Sequence, residues 1–341
     1  MKISNLAQKY TMYSLVTGGA GFVGAHLAKE LLNQRKKVII LDDLSGGFQE
    51  NLPNEAIFIK GSILDHDLIK DIFAQYKIEY VYHLAAYAAE GLSHFIKRYN
   101  YSNNLIGSVN LINAAVQHKI KCFVFTSSIA VYGSLKPPMK ETMHPSPEDP
   151  YGIAKLAVEQ ELKVSKQMFG LDYVIFRPHN VYGEYQNLGD IYRNVVGIFM
   201  NQLMQGRPLS IFGDGEQTRA FTYVGDIIPI IANSVKEKQW FCKVYNIGAD
   251  NNYSINKLAR SIMKAMGIKG KLRYVDARNE VIHAYPDHSK AIECFGDYSK
   301  TSLEEGLSKM ANWAKKTGIK KSNPFKDIEI MDRLPKIWLD D

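Results

Sequence analysis

Thr17-Gly-Gly-Ala-Gly-Phe-Val-Gly24 stands directly behind a short β-rich run, residues 13–17, and opens a stretch with helical spacing, residues 24–33. Gly18, Gly21 and Gly24 keep a three-residue interval at this strand-to-helix junction, the setting in which a glycine pattern marks a dinucleotide-binding turn. The first glycines let a ligand approach the backbone closely, and the helix N-terminus offers unpaired N–H groups to a pyrophosphate. Outward from the turn, apolar strand-like runs recur at 37–41, 57–59, 80–84, 122–125 and 174–176, with helical patterns between them. That alternation predicts an α/β fold built on a Rossmann-type doubly wound parallel sheet.

After Asn180 the pattern changes. Residues 183–190 read as loop, 192–205 as helix, and Pro208-Leu-Ser-Ile-Phe-Gly-Asp-Gly215 as strand then turn. The expected organisation is an extension at 1–11, a dinucleotide-binding domain at 12–180, and a smaller mixed α/β substrate lobe at 181–341. Val244-Tyr-Asn-Ile-Gly248 is expected to return to the main sheet. The extension is polar and has no apolar h-region, so it does not read as a signal peptide.

Composition narrows the function. The 341 residues are 46% apolar, ample for a packed core and incompatible with disorder or fibrous classes. Three widely spaced cysteines suit a reducing cytoplasm better than a disulfide framework. No apolar run approaches the ~20 residues of a membrane span. The net charge of +7 is scattered along the chain, so it suits an anionic small substrate and not nucleic acid. No His, Cys and carboxylate cluster has metal-ligand spacing; His283 and His288 read as surface or substrate-lobe residues.

Chemistry concentrates downstream of the turn. Strand 37–41 ends in Asp42-Asp43, where a carboxylate accepts hydrogen bonds from an adenosine ribose and repels a 2′-phosphate, favouring NAD over NADP. Asp43 has an outward orientation as its alternative. Thr126-Ser127-Ser128 supplies hydroxyls, and Tyr151-Gly-Ile-Ala-Lys155 follows Asp149-Pro150 at the start of a helix running to Phe169. Residues four apart share a helical face. The Lys155 ammonium, with an oxidised nicotinamide nearby, is therefore expected to lower the Tyr151 pKa from its usual ~10. The same Tyr-to-Lys interval recurs at Tyr132 and Lys136, which runs into Pro137-Pro138, and at Tyr253 and Lys257, placed at the start of another helix with no hydroxyl cluster before it.

Taken together, these motifs resemble the extended short-chain dehydrogenase/reductase family, and particularly its nucleotide-sugar epimerases. The resemblance runs from Ser14 to about Phe295. Besides the stretches above, it rests on His83-Leu-Ala-Ala86, Asn103-Asn104, Arg177-Pro-His-Asn-Val-Tyr-Gly183, Gly213-Asp-Gly-Glu-Gln-Thr-Arg219, Asn246-Ile-Gly248 and Asp287-His-Ser-Lys290. It implies Tyr151 as the base, Lys155 as the residue holding the nicotinamide ribose, and Ser128 on the reacting sugar hydroxyl. It implies further NAD contacts from Gly18, Gly21, Phe22, Val23, Gly24, Asp42, Asp43, Ser62, Ile63, Leu84, Ala85, Ala86 and Asn104. On the substrate side it implies Asn180 on the sugar nucleotide, with Arg219 and Arg278 on its diphosphate.

The implied activity is C4 epimerisation of a UDP-hexose or UDP-N-acetylhexosamine by a homodimer packed through helices at 104–118 and 153–169. Ser127 and Ser128 follow Thr126 where related dehydratases carry an acidic pair, which disfavours dehydration, and a glutamate used by decarboxylating relatives is also absent. Departures from the family pattern include Ser62, Ala88, Ala220 and Gly225. The first two imply looser cofactor retention and so raise a dehydrogenase or ketoreductase as the rival activity. A catalytically silent NAD-binding sensor is the rival of another class. Ala284 stands where a tyrosine crowds the sugar in some epimerases, implying room for an N-acetyl group.

Overall fold

The structure, a computed structural model, describes residues 11–277, 281–321 and 324–338. Six strands of the first half, β1 (Met12–Thr17), β2 (Lys37–Asp42), β3 (Ile57–Lys60), β4 (Lys77–His83), β5 (Cys122–Thr126) and β6 (Tyr173–Pro178), join a seventh, Lys243–Ile247, in one sheet. Across the sheet the order is Lys243–Ile247, β6, β5, β4, β1, β2, β3, and every pairing is parallel.

Side chains alternate between faces with the two-residue period of a strand. Leu15, Ile39, Leu41, Val81, Phe123, Phe125 and Ile175 build one core, and Val16, Val38, Ile40, Tyr82, Val124, Val174 and Phe176 build the other. Burial on both faces explains why these strands read as unbroken apolar runs. The strand order reverses direction between β1 and β4, and that switch point leaves a crevice at the carboxyl ends of the strands.

A third core forms in the second half around Phe199, Met200, Leu209, Leu258, Ile262, Leu307 and Met310. Two details differ from the sequence expectation. The helix expected over 192–205 is Val195–Met204, because Asn194 takes a left-handed conformation (φ 63°) that ends the preceding loop. Tyr253 belongs to the short strand Asn252–Ser254, and the helix Ile255–Met266 begins after it, with the Ser254 side chain accepting the Lys257 amide.

Candidate active site

A cavity of about 450 Å³ occupies the crevice. The glycine turn forms its floor. Gly18 holds φ 71°, and a Cβ there would come within 2.8 Å of the Ala85 backbone. A Cβ on Gly24 would drive into the Gly18 carbonyl, so the helix Phe22–Asn33 reaches the turn only because that position is bare. Its N-cap, Gly21, provides no side-chain acceptor, leaving the first-turn N–H groups facing the cavity lining at Phe22 and Val23.

The two aspartates divide the work of the β2 end. Asp42 is buried and its two oxygens accept the amides of Ala20 (2.9 Å) and Leu44 (2.8 Å), so it fixes the turn itself; burial pushes its carboxyl above the ordinary range. Asp43 is exposed, lines the cavity and accepts the Ser45 amide.

The helix Pro150–Phe169 carries the reacting wall. Asp149 caps it by accepting the Gly152 amide at 2.8 Å, and Pro150 occupies the first turn, where its missing N–H has no cost. Tyr151 and Lys155 then lie one turn apart. Lys155 Nζ donates to the Thr126 carbonyl at 2.8 Å and sits 5.7 Å from the centre of the Tyr151 ring. Ser128 Oγ accepts the Ala130 amide, and its hydroxyl hydrogen-bonds to Tyr151.

Burial dominates the electrostatics of this wall. Burial lowers Lys155 to about 7 and raises the Tyr151 phenol above its ordinary 10, with the Ser128 hydrogen bond only partly opposing that rise.

The cavity also takes in Asp43, Ile63, Leu84, Ala85, Ala86, Asn180 and Arg219. Asn180 adopts φ 36° and donates to the Ala220 carbonyl. Arg219 donates to the carbonyls of Thr218, Ile282 and Val281, bracing one edge of the cavity.

Two other expected residues, Ser62 and Asn104, are not brought together there. Ser62 lies outside the lining, and its Oγ accepts the Leu64 amide to close a turn. Asn104 is buried with its amide saturated by the Tyr87 backbone and Asn100, so it anchors the loop after β4 and leaves Asn103 at the wall. Arg278 lies outside the described residues. Ala284 is buried in a cluster with Val131, Tyr132 and Met139 and lies outside the cavity lining.

Residues missed in the sequence include His179 and Arg193. His179 lines the cavity and contacts the buried His288, which in turn meets Asp250. His283 is exposed, beside Thr218. His179 and His288 lie in stretches quoted above for the resemblance, but their contact joins segments 109 residues apart and had no sequence signal of its own. No group of side chains able to hold a metal ion occurs among the described residues.

The residues fit NAD. A bare glycine turn under a helix N-terminus, a carboxylate at the end of β2, and the buried, unpartnered Thr126 hydroxyl in the cavity lining suit a dinucleotide with a polar nicotinamide end. The profile of the family described as "NAD dependent epimerase/dehydratase family" matches residues 14–248. A putative UDP-glucose 4-epimerase of Methanocaldococcus jannaschii is 35% identical over 305 residues, covering 88% of this chain and 98% of that protein. Among solved structures, the UDP-glucose 4-epimerase of Thermotoga maritima with UDP-glucose is 35% identical with a TM-score of 0.85, covering 90% of this chain and 99% of that one. The UDP-glucuronic acid 4-epimerase of Bacillus cereus, in complex with UDP-glucuronic acid and NAD, is 30% identical with a TM-score of 0.83, covering 90% and 100%. Sequence, fold and cavity agree that the chain belongs to the NAD dependent epimerase/dehydratase family, as an NAD-using nucleotide-sugar epimerase of the extended short-chain dehydrogenase/reductases.

Proposed function

We propose that the chain interconverts the C4 epimers of a UDP-hexose or UDP-N-acetylhexosamine. The observation that carries this reading is the convergence of Ser128, Tyr151 and Lys155 on one wall of the cavity whose floor is the glycine turn. NAD, when bound, supplies the hydride acceptor and donor. Tyr151 removes the proton from the C4 hydroxyl while Ser128 hydrogen-bonds the same oxygen. Lys155, fixed to the Thr126 carbonyl, orients the nicotinamide end and biases Tyr151 toward the phenolate. Once the 4-keto sugar has presented its other face, Tyr151 returns the proton. Asn180, in the same lining, is assigned to the sugar nucleotide, and Arg219 and Arg278 to its diphosphate.

Dehydration is a poorer fit. The residue after Thr126 is Ser127, and its hydroxyl is committed to the buried Glu159 at 2.5 Å, so no acid stands there to expel water. UDP is preferred because the relatives named above act on UDP-sugars.

A homodimer in the cytoplasm completes the reading. Ile106, Ile153, Val164, Met168 and Phe169 are large apolar side chains exposed on the adjoining segments 102–117 and 150–169. No described helix is long and apolar enough to cross a membrane.

The test is to denature the purified protein, assay released NAD, and incubate the native protein with a panel of UDP- and GDP-sugars without added NAD. Released NAD with interconversion of one UDP-sugar pair supports the proposal. An empty protein that turns over only while consuming added NAD(H) makes it a dehydrogenase or ketoreductase. Full NAD binding with no turnover of any sugar makes it a silent NAD-binding protein.

A further inference from the structure

Arg193 projects from the loop that precedes the helix Val195–Met204, and it lines both the main cavity and a smaller one of about 120 Å³ beside it. Its side chain is only 16% exposed. Nε donates to Asp190 Oδ2 at 2.5 Å, while the other Asp190 oxygen accepts the Tyr192 amide at 2.9 Å, so the aspartate holds both the charge and the backbone behind it. The guanidinium lies 4.8 Å from the centre of the Tyr87 ring. A guanidinium has five N–H donors. Among the described residues, the four on Nη1 and Nη2 meet no protein acceptor.

The position of those donors identifies what they face. A Cβ on Gly46 would come within 2.9 Å of Arg193 Nη2, so the loop after β2 is bare where the arginine arrives. The next residue, Gly47, rests on the glycine turn: a Cβ there would fall 2.5 Å from the Ala20 carbonyl carbon and 2.7 Å from the Gly21 nitrogen. The guanidinium therefore ends beside Gly46, whose neighbour Gly47 lies against the glycine turn. The other two lysine and arginine side chains of the lining are engaged elsewhere, Lys155 on the Thr126 carbonyl and Arg219 on the carbonyls of Thr218, Ile282 and Val281.

We infer that Arg193 is a clasp on the NAD diphosphate, supplied by the substrate-side loop and closing over the glycine turn from across the cavity. The inference rests on NAD as the cofactor. Planar, paired N–H donors match the oxygens of a diphosphate, and Asp190 and Tyr87 hold the fork in place before the ligand arrives. Cofactor retention is then tied to the loop at 187–194, which also borders the space for the substrate.

The experiment is isothermal titration of NAD and, separately, of UDP into NAD-stripped wild-type protein and the Arg193→Gln, Arg193→Lys and Gly46→Ala variants. NAD content after purification is measured alongside, with thermal unfolding of each stripped protein as a control. Arg193→Gln is expected to raise the NAD Kd about ten- to a hundredfold, the loss of one or two charge-assisted hydrogen bonds. Arg193→Lys recovers part of the loss, Gly46→Ala weakens NAD with the arginine intact, and UDP binding changes less than twofold. An unchanged NAD Kd in Arg193→Gln overturns the clasp. So does a selective loss of UDP affinity, which would assign the guanidinium to the diphosphate of the substrate. If the wild-type protein bound no NAD, the cofactor reading itself would fail instead.

Discussion

Glu159→Gln is predicted to be among the most destabilising single-atom-scale changes this protein can carry. Glu159 is fully buried two turns beyond Tyr151, on the same helical face as Lys155. Its carboxylate accepts from Ser127 Oγ at 2.5 Å, from Arg177 Nε at 2.9 Å and from Arg177 Nη2 at 2.5 Å. Arg177 is itself 2% exposed and stacks 4.7 Å from the centre of the Tyr132 ring. Glutamine keeps the volume but removes the charge, leaving a guanidinium in the core with no counter-ion. Its amide also offers one acceptor oxygen to three donors. Breaking a buried pair from one side costs about 3–5 kcal/mol. Urea unfolding of NAD-stripped protein measures it without ligand linkage, as the change in midpoint multiplied by the slope. The paired replacement Glu159→Leu with Arg177→Met removes both charges and should be less destabilised than Glu159→Gln alone. A Glu159→Gln protein within about 1 kcal/mol of wild type would refute the reasoning, because a cation this buried could not then depend on Glu159.

Lys155 gives a pH signature. Its folded pKa of about 7 lies below the ordinary 10.5, so between those values the unfolded chain binds a proton that the folded one refuses, and stability rises with pH. Comparing urea midpoints at pH 7.5 to 9, the Lys155→Met variant should lose up to about 1.4 kcal/mol per pH unit of that slope; parallel slopes would contradict the assignment. Tyr151→Phe should lower kcat by at least about a hundredfold while NAD content stays at the wild-type level, the size expected for losing a general acid–base. If the protein dimerises through residues 102–117 and 150–169, replacing the exposed Phe169 by Glu should shift sedimentation toward the monomer without lowering NAD content.

The fold was legible where the chain repeats a simple physical demand. A strand covered on both faces must be apolar throughout, so β1, β2, β5 and β6 announced themselves, and the Gly18–Gly24 spacing placed the floor of the cavity. The reacting wall was legible because Tyr151 and Lys155 are local partners on one helix. What stayed hidden depends on contacts between distant segments. Asp190 stands only three residues before Arg193, but nothing in residues 187–194 shows that the pair turns inward, since the bare Gly46 that admits the arginine is far away in the chain. Asn103 and Asn104 are chemically identical, and only the packing of the loop after β4 decides which faces the cavity. Asp42 and Asp43 both reach the cavity lining, and only the fold shows that Asp42 is also buried against Ala20 and Leu44 while Asp43 stays exposed. Sequence spacing gave the proximity of Lys155 to Tyr151 and says nothing of desolvation, which is the largest influence on both groups.

The most direct test of the central claim follows one atom. A UDP-hexose carrying deuterium at C4 is incubated with the enzyme in ordinary water, without added NAD, and the epimeric product is analysed by NMR and mass spectrometry. Transient oxidation with return of the same hydride predicts an epimer that keeps its deuterium at C4, with the NAD content of the protein unchanged. Deuterium lost to solvent, or a keto sugar accumulating in step with NADH, would contradict it.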